Sequence, residues 1–72
     1  MYNTAVIRKL LTEAFDDEDM RTLCFDHFPA VYQQFAAGMT KGQMICLLLD
    51  HCERRRAMTT LLNLVQQERP QL

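Results

Sequence analysis

The sequence predicts an all-α fold, a compact antiparallel bundle of five or six short helices around one core. The chain has 72 residues, of which only 2 are Gly and 2 are Pro, and 49% are hydrophobic. Abundant Leu, Ala, Met, Gln, Glu and Arg favour helices and argue against a strand-rich fold. Apolar residues recur at the three- and four-residue spacing of helices, and the segments between these patterns are short, as in antiparallel bundles.

The stretch 39–52 is the predicted central helix. Thr40 and Gln43 have the spacing of a capping box, in which each side chain binds the backbone N–H of the other residue. Apolar side chains cover more than half of this helix, and Leu48 lies near the middle of the apolar face. Other helices must cover so broad a face, so we expect the remaining elements to pack around this helix.

Two helices precede the central one. Asn3 or Thr4 can cap the first helix, which is expected to run to about Phe15. Asp16 is the expected N-cap of the second helix, which begins at Asp17. Its first turn carries carboxylates, which the helix dipole favours at this end.

A short third helix and a last helix complete the prediction. Pro29 suits the first position of the third helix, and Gly38 is the expected C′ residue beyond its end. The pattern of the central helix fails at 54–57, where adjacent arginines predict a tight connection between helices. The last helix is expected from about Ala57 to Glu68.

Residues 1–69 are expected to form a single domain, and residues 70–72 a tail or the start of a linker. No stretch reaches the ~18 apolar residues that a membrane span needs, and the N-terminus lacks the basic and apolar segments of a secretion signal. The three cysteines have no disulfide-framework spacing and fit reduced thiols. Together these features predict a cytoplasmic protein.

Two Cys-His pairs are the only candidates for metal or thiol chemistry. Cys24 with His27 and His51 with Cys52 could form a tetrahedral zinc site if the two helices face each other. All four fall on arcs otherwise made of Leu, Met and Phe, and the turn-forming spacers of structural zinc sites are missing. We therefore expect both histidines to line the core, each with a hydrogen-bond partner, and we expect no metal or other cofactor.

The chain is not expected to be an enzyme. A catalytic thiolate needs an accessible, electropositive niche, and a bundle of 8.5 kDa has little volume for a substrate cleft. The sequence also lacks a Gly-rich phosphate loop, a G-x-S-x-G elbow and an H-E-x-x-H motif.

Two charge clusters and one aromatic residue are the candidate partner-binding residues. The acidic cluster consists of Asp16, Asp17, Glu18 and Asp19, and the basic cluster of Arg54, Arg55 and Arg56. Phe25 lies off the apolar arc of the second helix, so it is either covered by another helix or exposed to a partner. Complementary patches at different places on one molecule allow head-to-tail association. The alternative is that both clusters are ordinary solvated helix ends.

Several short motifs extend over nearly the whole chain. They are Leu11 with Phe15, the segments 20–26 and 28–32, Phe35 with Gly38, the pair Leu48-Leu49, the segment 52–55, and the pair Leu61-Leu62 before Pro70. Through these motifs the sequence resembles the effector-associated domains, or bacterial death-like domains, of bacterial conflict and signalling systems. The resemblance implies a death-fold-like bundle that joins effectors through contacts between similar domains. A Gly commonly follows the Arg-Arg pair in such sequences, whereas this chain has Arg56.

Two functions follow from these features. The first is a non-catalytic adaptor domain in bacterial defence or signalling, which recruits an effector or regulator by binding a similar helical domain, itself or another. The alternative is a small nucleic-acid-binding protein that uses the basic cluster. A net charge of -1 and the adjacent Glu53 leave this cluster a small electrostatic footprint for nucleic acid. Submicromolar affinity for DNA or RNA at physiological salt would favour the alternative.

Overall fold

The structure, a computed structural model, describes residues 3–70 and contains five α-helices in this range. In chain order they are α1 (Thr4–Ala14), α2 (Asp17–His27), α3 (Pro29–Tyr32), α4 (Lys41–Arg54) and α5 (Met58–Glu68). No strand occurs in this part of the chain, so the all-α prediction is confirmed. Residues 71 and 72 of the expected tail lie outside the described range.

The central position of α4 is confirmed. Its capping box is complete, because the backbone N–H of Gln43 donates to Thr40 Oγ1 at 3.2 Å and the backbone N–H of Thr40 donates to Gln43 Oε1 at 2.9 Å. The other four helices all contact α4. A broad apolar face makes this possible, because it offers apolar side chains to several neighbouring helices at once.

One core contains buried side chains from all five helices. Its members are Ile7, Leu11, Phe15, Met20, Leu23, Cys24, Phe28, Val31, Met44, Ile45, Leu48, Leu49, Cys52, Met58, Leu61 and Val65. Phe15 and Phe28 lie just beyond the ends of α1 and α2, so the connections as well as the helices supply core residues. A chain of this length needs core residues from its connections, because small domains bury a smaller fraction of their surface than large ones.

Local caps fix the starts of α1 and α2 as the sequence predicts. Asn3 Oδ1 accepts from the backbone N–H groups of Ala5 and Val6 at 3.1 and 3.2 Å. Asp16 Oδ1 accepts from the backbone N–H of Asp19 at 2.7 Å. Each cap satisfies N–H groups that have no partner within the helix.

Two cations from distant parts of the chain bind the end of α1. Lys41 Nζ donates to the carbonyl oxygens of Thr12 at 2.8 Å and Phe15 at 3.0 Å. Arg69 Nε donates to the carbonyl oxygen of Ala14 at 2.9 Å. The last carbonyls of a helix lack internal partners and carry the negative end of its dipole, so cations stabilise this end.

The third helix is shorter than expected, and Gly38 is not its C′ residue. The C-cap of α3 is Gln33, and Gly38 lies instead in a later turn, closed by a hydrogen bond from Met39 N–H to the Ala36 carbonyl at 3.2 Å. Gly38 does have a positive φ of 79°. The expectation of left-handed backbone there is confirmed, but it serves the turn before α4.

The expectation that both histidines line the core is wrong for His27. His27 is exposed in the last turn of α2, just before the chain turns into α3 at Pro29. His51 is half-buried, and its ring packs edge-on against Phe28 with 6.1 Å between ring centroids. Neither ring has a hydrogen bond to another of the residues 3–70, so the expected partners are missing as well.

The junction between α4 and α5 is a Schellman motif with an arginine in the left-handed position. Ala57 N–H donates to the Cys52 carbonyl at 2.8 Å and Arg56 N–H donates to the Glu53 carbonyl at 3.4 Å, the two bonds that define the motif. Arg56 has a φ of 54°, which favours glycine. It occupies the position at which the resemblance described above implies Gly.

Replacing Arg56 by glycine is therefore expected to stabilise the fold. Left-handed backbone costs a non-glycine residue about 1 kcal/mol, and removing that cost should raise the Tm by about 4–8 °C in a domain of this size. Arg56→Ala is the matched control, because it removes the charge but keeps the Cβ. If thermal melts give Arg56→Ala the same Tm as Arg56→Gly, the gain comes from removal of the charge and the prediction is wrong.

Candidate functional site

The basic cluster, Arg54 to Arg56, covers the end of α4 and the turn that follows it. Arg54 Nε lies 3.2 Å from Asp50 Oδ2, one helical turn earlier, and both side chains are exposed, by 77% and 60%. Arg55 and Arg56 are also exposed, and neither forms an ion pair within the range 3–70. An exposed ion pair contributes little to stability, so all three guanidinium groups remain available to a partner.

The acidic cluster, Asp16 to Asp19, divides into two structural and two unpaired carboxylates. Asp16 caps α2, and Asp19 Oδ2 lies 3.0 Å from Arg69 Nη2. Asp17 and Glu18 are exposed, and no side chain in the described part of the protein pairs with either. The structure therefore leaves Asp17 and Glu18 as the carboxylates available to a partner.

The two clusters do not meet within one molecule. The acidic cluster begins α2 and the basic cluster ends α4, and no ion pair links them anywhere between residues 3 and 70. Charges of opposite sign at separate places on one surface are the arrangement that permits head-to-tail contact between molecules.

Arg69 is the residue of this region that sequence analysis missed. Its guanidinium carbon lies 4.7 Å from the centre of the Phe15 ring, and the same group binds Asp19 and the Ala14 carbonyl. No local pattern signals these contacts, because Arg69 and Asp19 are 50 residues apart in sequence. Arg69 therefore belongs to the folded structure and holds the α1–α2 connection.

Phe25 is exposed and not covered by another helix, so the first of its two predicted alternatives is wrong and the second remains. Its side chain is 63% accessible, and its ring meets Tyr32 edge-on with 5.1 Å between centroids. Tyr32 in turn packs edge-on against Phe35 at 5.8 Å. The sequence analysis named Phe25 alone. The aromatic character of α3 could have indicated Tyr32, since Tyr32 and Phe35 have the spacing of one helical face.

An apolar groove runs between α1 and α4 on another side of the molecule. Its lining includes Arg8, Met39, Gly42, Cys46, Leu47 and Asp50. Gly42 is exposed there, and a Cβ added to it would be in ordinary van der Waals contact with Thr40 Oγ1, at 3.9 Å. Sequence analysis missed this groove because it depends on how two helices pack.

The two buried cysteines, Cys24 and Cys52, do not form a reactive centre. Burial, with a smaller contribution from nearby Cys52, raises the pKa of Cys24 to about 12. Burial also raises the pKa of Cys52 to about 11. A thiol is nucleophilic as the thiolate, so both remain unreactive near neutral pH. Cys46 is exposed in the groove.

Within residues 3–70, no group of three or more His, Cys, Asp or Glu side chains could hold a metal ion.

Comparison with protein families shows which family this chain belongs to. Residues 7–70 match the family model described as effector-associated domain 7, which covers nearly the whole chain. The chain belongs to this family. The resemblance expected from the sequence motifs is thus confirmed. No curated protein and no solved structure gives a significant match to this effector-associated domain.

The family match extends over residues of all five helices of this effector-associated domain. The match ends at Pro70 and so includes Arg69, whose contacts hold the α1–α2 connection. None of the helices in the described range is long and apolar enough to cross a membrane.

Proposed function

We propose that this effector-associated domain is a non-catalytic adaptor module, which recruits an effector or regulator by binding a similar helical domain in the bacterial cytoplasm. The observation that carries the proposal is the family match over residues 7–70. The work of such a module in defence or signalling is to bring proteins together, and this requires a recognition surface rather than a reactive centre.

Exposed charged side chains without ion-pair partners support the choice of the partner-binding surface. Asp17 and Glu18 at one place and Arg55 and Arg56 at another are exposed and have no ion-pair partner within the described range. Guanidinium groups pair with carboxylates in bidentate geometry, and such pairs set the encounter rate and the choice of partner. We therefore assign Arg55 with its neighbours to one half of the contact, and Asp17 with Glu18, or their equivalents on a similar domain, to the other.

Reversing one charge of the basic cluster is expected to weaken binding. The purified chain would be tested against a second copy of itself and a panel of effector-associated domains by biolayer interferometry, at low and physiological salt. We expect at least one partner to bind, with weaker binding at higher salt. Arg55→Glu should weaken that binding at least about tenfold, because truncating or reversing interfacial charges costs several kcal/mol.

Matched variants separate this effect from changes in net charge and in folding. Lys9→Glu changes the net charge by the same amount as Arg55→Glu, at an exposed position of α1 away from both clusters. This variant should bind as the parent does. Arg55→Glu places a carboxylate at a helix C-terminus, which costs only about 0.5 kcal/mol, so circular dichroism should show a folded domain. If the partner is a second copy, Asp17→Lys in that copy should restore binding. The proposal fails if no domain in the panel binds, or if Arg55→Glu binds as the parent does.

A further inference from the structure

The guanidinium group of Arg69 is bound by three different chemical groups where α1 ends and α2 begins. Its Nε donates to the Ala14 carbonyl oxygen at 2.9 Å, its Nη2 donates to Asp19 Oδ2 at 3.0 Å, and its carbon lies 4.7 Å from the centre of the Phe15 ring. Its Nη1 donates to the Glu68 carbonyl oxygen at 2.9 Å. The Ala14 carbonyl, the Phe15 ring and the Asp19 carboxylate form a guanidinium site, because they match the donors, the charge and the planar face of this group.

The guanidinium site is built without any residue of α5. Its three residues come from the end of α1 and the first turn of α2. The Asp16 side chain caps α2, and Lys41 Nζ donates to the Phe15 carbonyl oxygen at 3.0 Å. These contacts hold the connection independently of Arg69, so the site is expected to persist when Arg69 leaves it.

The end of α5 can release Arg69 without disturbing the core. α5 packs chiefly on α4, and the Arg69 side chain reaches from its end to α1 and α2. Arg69 is the C-cap of α5, at a helix end, where helices fray, and its side chain is 33% exposed. When this side chain rotates into solvent, the buried residues of α5, Met58, Leu61 and Val65, stay in the core.

A cleft beside the guanidinium site carries an excess of acidic groups. It lies between α2 and the end of α5 and has a volume of about 80 Å³. Its lining includes the carboxylates of Asp19, Asp26 and Glu68, together with the imidazole of His27 and the guanidinium group of Arg69. Three carboxylates face one permanent cation, so the cleft attracts a further cationic group.

We propose that the guanidinium site binds an arginine side chain of a partner protein, and that Arg69 occupies this site when no partner is bound. This assignment rests on the proposed function, because it adds the carboxylate of Asp19 to those of the acidic cluster that a partner can reach. The arriving guanidinium group takes over the contacts with Ala14, Phe15 and Asp19 and sets the end of α5 free. Occupancy by Arg69 and by the partner exclude each other, so each weakens the other to the same degree.

Removing Arg69 is expected to open the site to a small guanidinium compound. The probe is ethylguanidinium chloride, added to Arg69→Ala at constant ionic strength up to about 0.2 M, well below denaturing concentrations. NMR spectra record the backbone amide signals of Phe15 and Asp19. A ligand of this size should bind with a Kd of roughly 10–100 mM, and the shifts should saturate accordingly. The parent should bind at least about tenfold more weakly, because its own guanidinium group competes at a high effective concentration.

Two controls test whether the site recognises the guanidinium group itself. Ethylammonium chloride carries the same charge but cannot pair in the planar geometry of guanidinium, so its shifts should not saturate. The double variant Arg69→Ala with Asp19→Asn lacks the carboxylate and should bind ethylguanidinium at least about fivefold more weakly than Arg69→Ala alone. Circular dichroism spectra should show that both variants are folded.

A peptide of three consecutive arginines, blocked at both ends, tests the exchange with a partner. It should bind Arg69→Ala at least about tenfold more tightly than the parent, whereas a trilysine peptide of the same charge should gain clearly less. The parent gives a second measurement that needs no substitution. There the triarginine peptide should shift the Nε–H signal of Arg69 and speed up hydrogen exchange in the last turn of α5, because it displaces the side chain.

Three results would overturn this assignment. They are ethylguanidinium shifts in Arg69→Ala that do not saturate or that ethylammonium reproduces, a triarginine peptide that gains no more than the trilysine peptide, and an Arg69 Nε–H signal in the parent that the triarginine peptide leaves unmoved. All three concern the guanidinium site alone. The adaptor role is decided separately, by whether any effector-associated domain binds in an Arg55-dependent manner, so the two failures give different outcomes.

Discussion

Replacing Leu48 by alanine is expected to lower the free energy of unfolding by about 2–5 kcal/mol. Leu48 is 0% exposed and belongs to α4, which all the other helices contact. The substitution removes apolar atoms from the core and leaves a cavity that its neighbours fill only in part. Since domains of this kind have a total stability of about 5 kcal/mol or little more, the variant could be unfolded at room temperature.

Leu47→Ala is the matched control for this prediction, because it deletes the same atoms from the same helix at a half-buried position. Urea denaturation followed by circular dichroism should give a clearly smaller loss for Leu47→Ala than for Leu48→Ala. Equal losses would mean that α4 presents a different face to the core from the one described above.

Replacing Arg69 by alanine is expected to destabilise the domain by about 2 kcal/mol. The guanidinium group donates to the Ala14 carbonyl at 2.9 Å and to Asp19 at 3.0 Å, and lies over the Phe15 ring. Its removal leaves a helix-end carbonyl without its partner and the Asp19 carboxylate unpaired. The ion pair supplies only a small part of this loss, because the Arg69 side chain is 33% exposed and solvent screens the pair.

Arg69→Lys should give an intermediate stability, since an ammonium group keeps the charge but cannot bind a carbonyl and a carboxylate in the planar geometry of arginine. A double-mutant cycle with Asp19→Asn isolates the ion pair, for which we expect a coupling of about 0.5–1 kcal/mol that weakens with salt. An unfolding curve for Arg69→Ala identical to that of the parent would contradict the role given to this residue.

The division within the acidic cluster illustrates how far the candidate site could be predicted. Sequence patterning located all four carboxylates at the start of α2 and identified Asp16 as the cap, because a cap depends on residues three positions away. Patterning could not show that Asp19 forms an ion pair whereas Asp17 and Glu18 do not. Their difference arises from Arg69, which the packing of α5 brings next to Asp19.

The same distinction applies to Phe25 and the groove. Helical periodicity showed that Phe25 lies off the apolar arc of α2, and this was enough to predict exposure or coverage by another helix. The groove gave no such signal, since its lining comes from both α1 and α4. A surface formed by two helices depends on their relative position, which the period of either one does not specify.

The sequence by itself determined the helices, their caps and the core face of α4. These features depend on hydrogen bonds and side-chain directions within about four residues, as in the Thr40–Gln43 capping box. Only the tertiary structure decided that His27 is exposed and that Lys41 binds the end of α1, 29 residues from Thr12 in sequence. Such contacts follow from the arrangement of whole helices in space, and that arrangement is set by the packing of all their faces together.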